Sequence, residues 1–166
     1  MNLDIITNYF SQYGLIFIFI IIFLEYLNLP GLAAGIIMPA CGVLIAKGNI
    51  SFISAIIISV IAGVLASICL YIIGRYSGNF LLNKYVSKFP NQKDIINKIS
   101  NRINEKGNYG IFISKLIPVA RTLVAIPAGA FKINFTNFVL FSSLGIFVWN
   151  TLFISAGYFF GNIIFP

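Results

Sequence analysis

The chain has 166 residues, 59% of them hydrophobic and 9% charged, with a mean hydropathy of +0.96 and a formal net charge of +7. So apolar a chain is no ordinary soluble domain; it reads as one integral membrane domain over residues 1–166, short because each helical crossing takes about 20 residues. Basic loops beside anionic lipid explain the charge, and no nucleic-acid partner is expected. Cys41 and Cys69 lie in separate apolar runs and read as buried reduced thiols, not as a disulfide.

Residues 1–8 are a polar lead-in, and the chain then becomes steadily apolar, ending in LIFIFIIIFL. Counted from Ile5 this is about 20 residues, enough for a first span. It carries no basic n-region and ends at Glu25 rather than at small residues, so it is expected to be retained. The next stretch, EYLNLPGLAAGIIMPACGVLIAKG, is interrupted by Asn28, Pro30, Gly31, Gly35, Pro39 and Gly42. Regular helix does not run undisturbed through such a series, and a first re-entrant hairpin is expected. Residues 50–73 read as a full span, with Ala62, Gly63, Ala66 and Ser67 letting another helix approach closely.

Residues 75–106 carry seven cations, Arg75, Lys84, Lys88, Lys93, Lys98, Arg102 and Lys106, against Asp94 and Glu105. The positive-inside rule makes this connector cytoplasmic, with Lys47 on the opposite side. Ile95, Ile96, Ile99 and Ile103 fall near helical spacing with the cations on another face, which predicts an amphipathic helix on the membrane surface. A last span over residues 138–160 carries Trp149 and Asn150 and closes on GYFFG.

Between connector and last span stands SKLIPVARTLVAIPAG, residues 114–129, with Lys115, Pro118, Arg121 and Pro127 inside an apolar run. A cation at bilayer depth costs about 2.5 to 3.5 kcal/mol on insertion scales, so two of them need a partner, a wet cavity or a ligand. The prolines point to a second broken or re-entrant helix, and non-helical backbone at that depth survives only where protein or water covers it. The expectation is a protein-lined cavity with positive charge in its wall.

The halves repeat. Pro30 and Pro118 are 88 positions apart, as are Pro39 and Pro127, Ala40 and Ala128, and Asn49 and Asn137; Tyr71 and Tyr158, and Gly74 and Gly161, are 87 apart. The fold expected is therefore an all-α membrane protein built as an inverted repeat of hairpin plus transmembrane helix. One copy covers about residues 25–74 and the other about 109–162, with the amphipathic connector between them. In transporters built this way the site lies at the repeat interface, where Glu25, Lys115 and Arg121 would converge.

The elements EYLNLPG, GRYSG, SKLIPVARTLVAIPAG and the closing GYFFG resemble the DedA family, also called the SNARE-associated or VTT-domain family, over residues 10–162. That resemblance implies a membrane protein with paired re-entrant hairpins that moves phospholipids or a polyprenyl phosphate carrier between leaflets. It matches the family's first-hairpin acid to Glu25 and the cations of the second hairpin to Lys115 and Arg121. The first of those cations is commonly Arg in the family, and Lys115 offers a point charge in place of a fork. The family's second acid is absent here, since Ala34, Gly35, Ile36 and Ile37 occupy that stretch, which weakens a proton-coupled mechanism.

The function expected is that of a flippase- or scramblase-like lipid translocase of the inner (plasma) membrane, the head group crossing a polar cavity between the hairpins. Arg121 suits phosphate by two-point geometry, or else anchors broken-helix carbonyls. Lys115 joins it or snorkels to the interface. Glu25 ends the first helix at the interface, balances Arg121 or meets a lipid ammonium. Asn28 and Asn150 give polar support between helices. Pro30, Gly31, Pro39, Gly42, Pro118, Pro127 and Gly129 break the hairpins, Gly129 by a turn or a close approach. With no histidine and four scattered acids, no catalytic residue, metal ligand or cofactor is expected. The partners are the bilayer, a phospholipid or polyprenyl phosphate, and a second copy of the chain if it self-associates. The alternatives are an ion-coupled small-solute transporter and a non-transporting membrane-homeostasis scaffold.

Overall fold

The structure, a computed structural model, describes residues 3–27, 35–48, 50–88, 90 and 93–164, and every regular element among them is helical. In chain order these are α1 (Leu3–Tyr26), α2 (Ile37–Lys47), α3 (Phe52–Lys88), α4 (Lys93–Lys106), α5 (Asn108–Lys115), α6 (Ala120–Leu123), α7 (Ala125–Ala130) and α8 (Phe135–Ile164). Asn28, Pro30 and Gly31 lie outside the described residues. Two stretches are long and apolar enough to cross a membrane, Phe52–Ser77 of α3 and Phe135–Phe160 of α8. At 1.5 Å per residue α3 is about 55 Å long, well beyond a hydrocarbon core of about 30 Å. Its basic end therefore continues as helix past the apolar part. The 11 residues of α2 reach only about 16 Å and do not cross.

The chain forms two compact units, one of Met1–Gly63 with Phe147–Pro166 and the other of Val64–Ile146. In the first, Ile18, Ile22 and Tyr26 recur every four residues on one face of α1, and Met38, Cys41 and Ile45 line a face of α2; all six are buried. Helical periodicity brings each set onto one stripe. In the second, Tyr71 of α3 joins Ile99, Ile103, Ile111, Leu123, Val124 and Phe138 in one apolar core. Tyr71 stacks on Phe138 at 4.6 Å between ring centroids.

The amphipathic α4 corrects one expectation. Its Ile96, Ile99 and Ile103 are buried, while Lys93, Asp94, Lys98, Glu105 and Lys106 are exposed. The apolar stripe packs on α5, α6 and α7 rather than on lipid. Three helices of eight, four and six residues have little surface of their own to bury, and α4 supplies the missing layer. The thiols divide too: Cys41 is buried and Cys69 is exposed, on the stretch of α3 apolar enough to meet lipid. The exposed Ile53, Ile57, Ile61 and Leu65 of α3, and Leu140, Leu144, Val148 and Leu152 of α8, form apolar stripes of the kind a bilayer covers.

Neither Pro39 nor Pro127 interrupts a helix. Each is the third residue of its own, α2 or α7, in the first turn, where the missing N–H has no intrahelical partner to lose. Gly42 and Gly129 likewise sit inside helices, not at breaks, because each is a point of backbone contact. A methyl on Gly42 would overlap the carbonyl oxygen of Ile154, and one on Gly157 that of Pro39. In the other unit a methyl on Gly129 would overlap the carbonyl of Tyr71, and one on Gly74 that of Ile126. In all four cases the glycine follows by three residues a carbonyl that faces the partner glycine. The same reciprocal crossing of a short helix on a long one is built twice, of the close-packed kind that small residues permit.

Gly42→Ala and Gly129→Ala should each lower the thermal midpoint of the detergent-solubilised protein by several degrees, since overpacking against rigid backbone costs about 1–3 kcal/mol or more. Dye-monitored unfolding of each variant beside the parent measures it. Unchanged midpoints would mean that the helices separate without cost.

Candidate functional site

The second unit holds the broken segment. α5 ends at Lys115, and residues 116–119 separate it from α6. Pro118 lies in this break. The freed backbone groups find local partners: the Leu116 amide donates to Ile113 O at 3.1 Å, Ile117 to Ser114 O at 3.3 Å and Arg121 to Ile117 O at 3.0 Å. The chain reverses at Val119, with φ 66° and ψ −50°, where the Ala120 amide donates to Pro118 O at 2.7 Å. This is a γ-turn of the rare, strained hand, centred on a β-branched residue for which positive φ is an outlier. Such conformations cost about 1–3 kcal/mol and persist only where the surroundings hold them. One restraint is Thr122, whose hydroxyl donates to Val119 O at 3.0 Å.

The far end is closed as firmly. Lys132, at φ 54°, donates its amide to Gly129 O at 2.9 Å, and Ile133 donates to Ala128 O at 3.1 Å. These paired bonds around a left-handed residue form a Schellman motif at the end of α7, with lysine where glycine is usual. The Tyr71 hydroxyl donates to Ile133 O and accepts from Arg75 Nη1 at 2.7 Å. The end of α7 is thereby tied to α3.

Both cations of the segment are inside the protein. Arg121 is 0% exposed and Lys115 1%. Lys115 does not snorkel: its Nζ donates to Ser67 Oγ of α3 at 2.8 Å. Gly145 of α8 makes room for it, since a methyl there would overlap Lys115 Cβ. The two cations lie within Coulombic range of each other. Thr122, Ser114 and Ser142 are buried in the same unit, and the hydroxyls of the two serines have no hydrogen-bond partner. The unit therefore buries two positive charges together with several hydroxyl groups, of which that of Ser67 is bonded to Lys115.

Glu25 belongs to the first unit, in α1, and is 2% exposed, within Coulombic range of Cys41. Asn150, also in that unit, accepts from the Tyr26 hydroxyl at 2.8 Å and donates from Nδ2 to Ser59 Oγ at 3.2 Å. Ser59 in turn donates to Ile56 O at 2.7 Å. This chain of bonds links α1, α8 and α3 within the unit.

Sequence reasoning missed Ser67, Gly145 and Val119. Ser67 stood out only as a small residue, although a buried lysine always needs an acceptor. Gly145 had no signal beyond its place in a run of small residues. Nothing in the sequence marks a valine for positive φ except the proline before it.

A family model described as VTT domain matches residues 29–159. Undecaprenyl phosphate transporter A of Bacillus subtilis strain 168 is 37% identical over 122 residues, 74% of this chain and 62% of that protein. Undecaprenyl phosphate transporter A of Staphylococcus aureus strain NCTC 8325 / PS 47 is 32% identical over 151 residues, 89% of this chain and 74% of that protein. A Lactococcus lactis subsp. cremoris strain MG1363 protein named alkaline phosphatase-like is 28% identical over 159 residues, 93% of this chain and 74% of that protein. The chain thus spans under two thirds of the first of these proteins and about three quarters of the other two. No solved structure matches it.

Ser67→Ala should destabilise the protein by about 1–3 kcal/mol by leaving a buried ammonium short of its acceptor, and Lys115→Met in that background should recover part of the loss. Thermal unfolding of the two single variants and the double variant closes the cycle. Additive losses would show that the hydroxyl does not support the ammonium.

Proposed function

The chain belongs to the VTT-domain, or DedA, family, and from that premise we propose that it moves a polyprenyl phosphate, or failing that a phospholipid, between the leaflets of the cell membrane. The observation that carries this reading is the full burial of Lys115 and Arg121 in a broken segment of so apolar a chain. Two cations in Coulombic range of each other raise the local positive potential, which favours an anionic head group. A phosphate monoester carries close to two negative charges near neutrality and matches that pair better than a singly charged diester. The names of the two transporters among the relatives support the same substrate class.

In this reading the head group passes through protein while the tails stay in lipid. Arg121 offers the phosphate a planar two-point contact and Lys115 a movable point charge. The open hydroxyls of Ser114 and Ser142 give the phosphate further donors. Glu25 completes the head-group set, as a counter-charge or a contact for a lipid ammonium. Residues 25–74 and 109–162 are two inverted copies of one motif within a single domain, each with a hairpin that re-enters the membrane. The support is the glycine crossing built twice, and the prolines at the third position of both α2 and α7. Residues 75–106 lie in the cytoplasm.

Phosphatase chemistry, named for one relative, has little to work with here. There is no histidine, and the four acids, Asp4, Glu25, Asp94 and Glu105, are scattered along the sequence. Motion of the head group requires no bond to break, and charge and cover suffice for it.

Arg121→Lys should lose much of the transport and Arg121→Ala nearly all of it, the lost charge-assisted bond being worth about 1.5–3 kcal/mol, or one to two decades in affinity. Leaflet exchange of labelled polyprenyl phosphate and phospholipids in reconstituted vesicles is measured beside the melting temperature of the same preparations. Near-normal transport by stable Arg121→Ala protein would remove Arg121 from the path.

Topology has its own check. On a background lacking Cys41 and Cys69, a cysteine at position 93 should resist an impermeant thiol reagent in intact cells, while one at position 47 should react. Ready labelling at 93 from outside would overturn the cytoplasmic assignment.

A further inference from the structure

A cavity of about 270 Å³ lies entirely within the second unit, between α4 and the strained turn. Ile95, Lys98 and Ile99 form one wall, and Pro118, Val119 and Ala120 the other. Its mouth is open, since Lys98, Pro118 and Val119 are exposed. Its floor residue, Ala120, immediately precedes the fully buried Arg121. Building on the transport reading, we propose that this cavity is a peripheral, cytoplasm-facing receiving site for an isoprenyl monophosphate, with Lys98 holding the phosphate and the apolar walls holding the first carbons of the chain.

Three observations meet here. The lining is apolar apart from one flexible cation, the pairing that a phosphate joined to a hydrocarbon requires. The volume falls just short of the roughly 300–1,000 Å³ usual for small-molecule sites, so it admits a head group and its neighbouring carbons but not a long lipid. The wall next to Arg121 is the turn at Val119, held at positive φ. Because Arg121 is wholly covered, a phosphate reaches it only after that cover moves, and the strained turn is the part of the wall with most to gain by moving. Lys98 is then the specificity-determining residue at the entrance, and Arg121 lies one step further in.

The test uses the full chain without Cys41 and Cys69, carrying Val119→Cys. Dimethylallyl monophosphate is the probe, with dimethylallyl alcohol and inorganic phosphate as comparisons. The phosphate ester should slow modification of the new thiol several-fold, and neither comparison should match it. Lys98→Gln should abolish that protection. Lys93→Gln, on an exposed lysine of the same helix outside the cavity lining, should leave it intact. In reconstituted vesicles Lys98→Gln should raise the KM for polyprenyl phosphate about tenfold with kcat little changed, the loss of uniform binding.

Absence of protection overturns the site, as does protection that survives Lys98→Gln or is lost equally with Lys93→Gln. Equal protection by inorganic phosphate overturns the role of the apolar walls and with it the isoprenyl assignment. Protection that persists in a chain that moves no lipid upholds the site while overturning the transport reading. Arg121-dependent transport without protection does the reverse.

Discussion

A helix interrupted in an apolar surrounding can persist only if its freed amides and carbonyls are answered locally and hydrocarbon is kept off them. The segment from α5 to α7 meets that demand at every joint. Short-range bonds at residues 116 and 117, the γ-turn at Val119 and the Schellman motif at Lys132 take up the backbone groups. Covering is the task of α4, whose isoleucines lie over the break, and of α3, which the segment meets at Gly74 and Gly129. Once the backbone is closed in this way, the interior has room for charge.

The charge is held with unequal means. Lys115 has a hydroxyl acceptor on α3 and a glycine opposite its stem, so its position is set by packing as much as by polarity. Arg121 sits in a four-residue helix directly after a strained valine and is wholly covered. The first unit has no such cation among its described buried residues. Its buried polar groups include Glu25 and a hydrogen-bonded chain through Tyr26, Asn150 and Ser59. The two units share a crossing geometry and differ in the sign of the charge they bury.

Much of this was legible in the residues. Apolar runs located two of the three expected spans, Phe52–Ser77 and Phe135–Phe160, to within a few positions, while of the first only Tyr13–Tyr26 qualifies, as a shorter apolar helix; the isoleucine spacing of 95, 96, 99 and 103 identified α4 as amphipathic. Its partner was not legible, because periodicity reports that a face is apolar and not what covers it. Lys115 and Arg121 stood out by the cost of burying charge, whereas Ser67 did not, since a serine among small residues has no distinguishing pattern. The prolines at 39 and 127 misled for a definable reason: proline breaks a helix from the second turn onward and starts one in the first, and sequence alone does not say which turn it occupies. Gly42 and Gly129 misled likewise, because a glycine that admits a neighbouring carbonyl looks the same in sequence as one that ends a helix.

The double glycine crossing also limits how these helices can shift. Each carbonyl occupies the space where a Cβ would stand on the facing helix. A slide of one residue along either axis would put a side chain into that space. The crossing is a lock on register: it forbids the stroke of a piston.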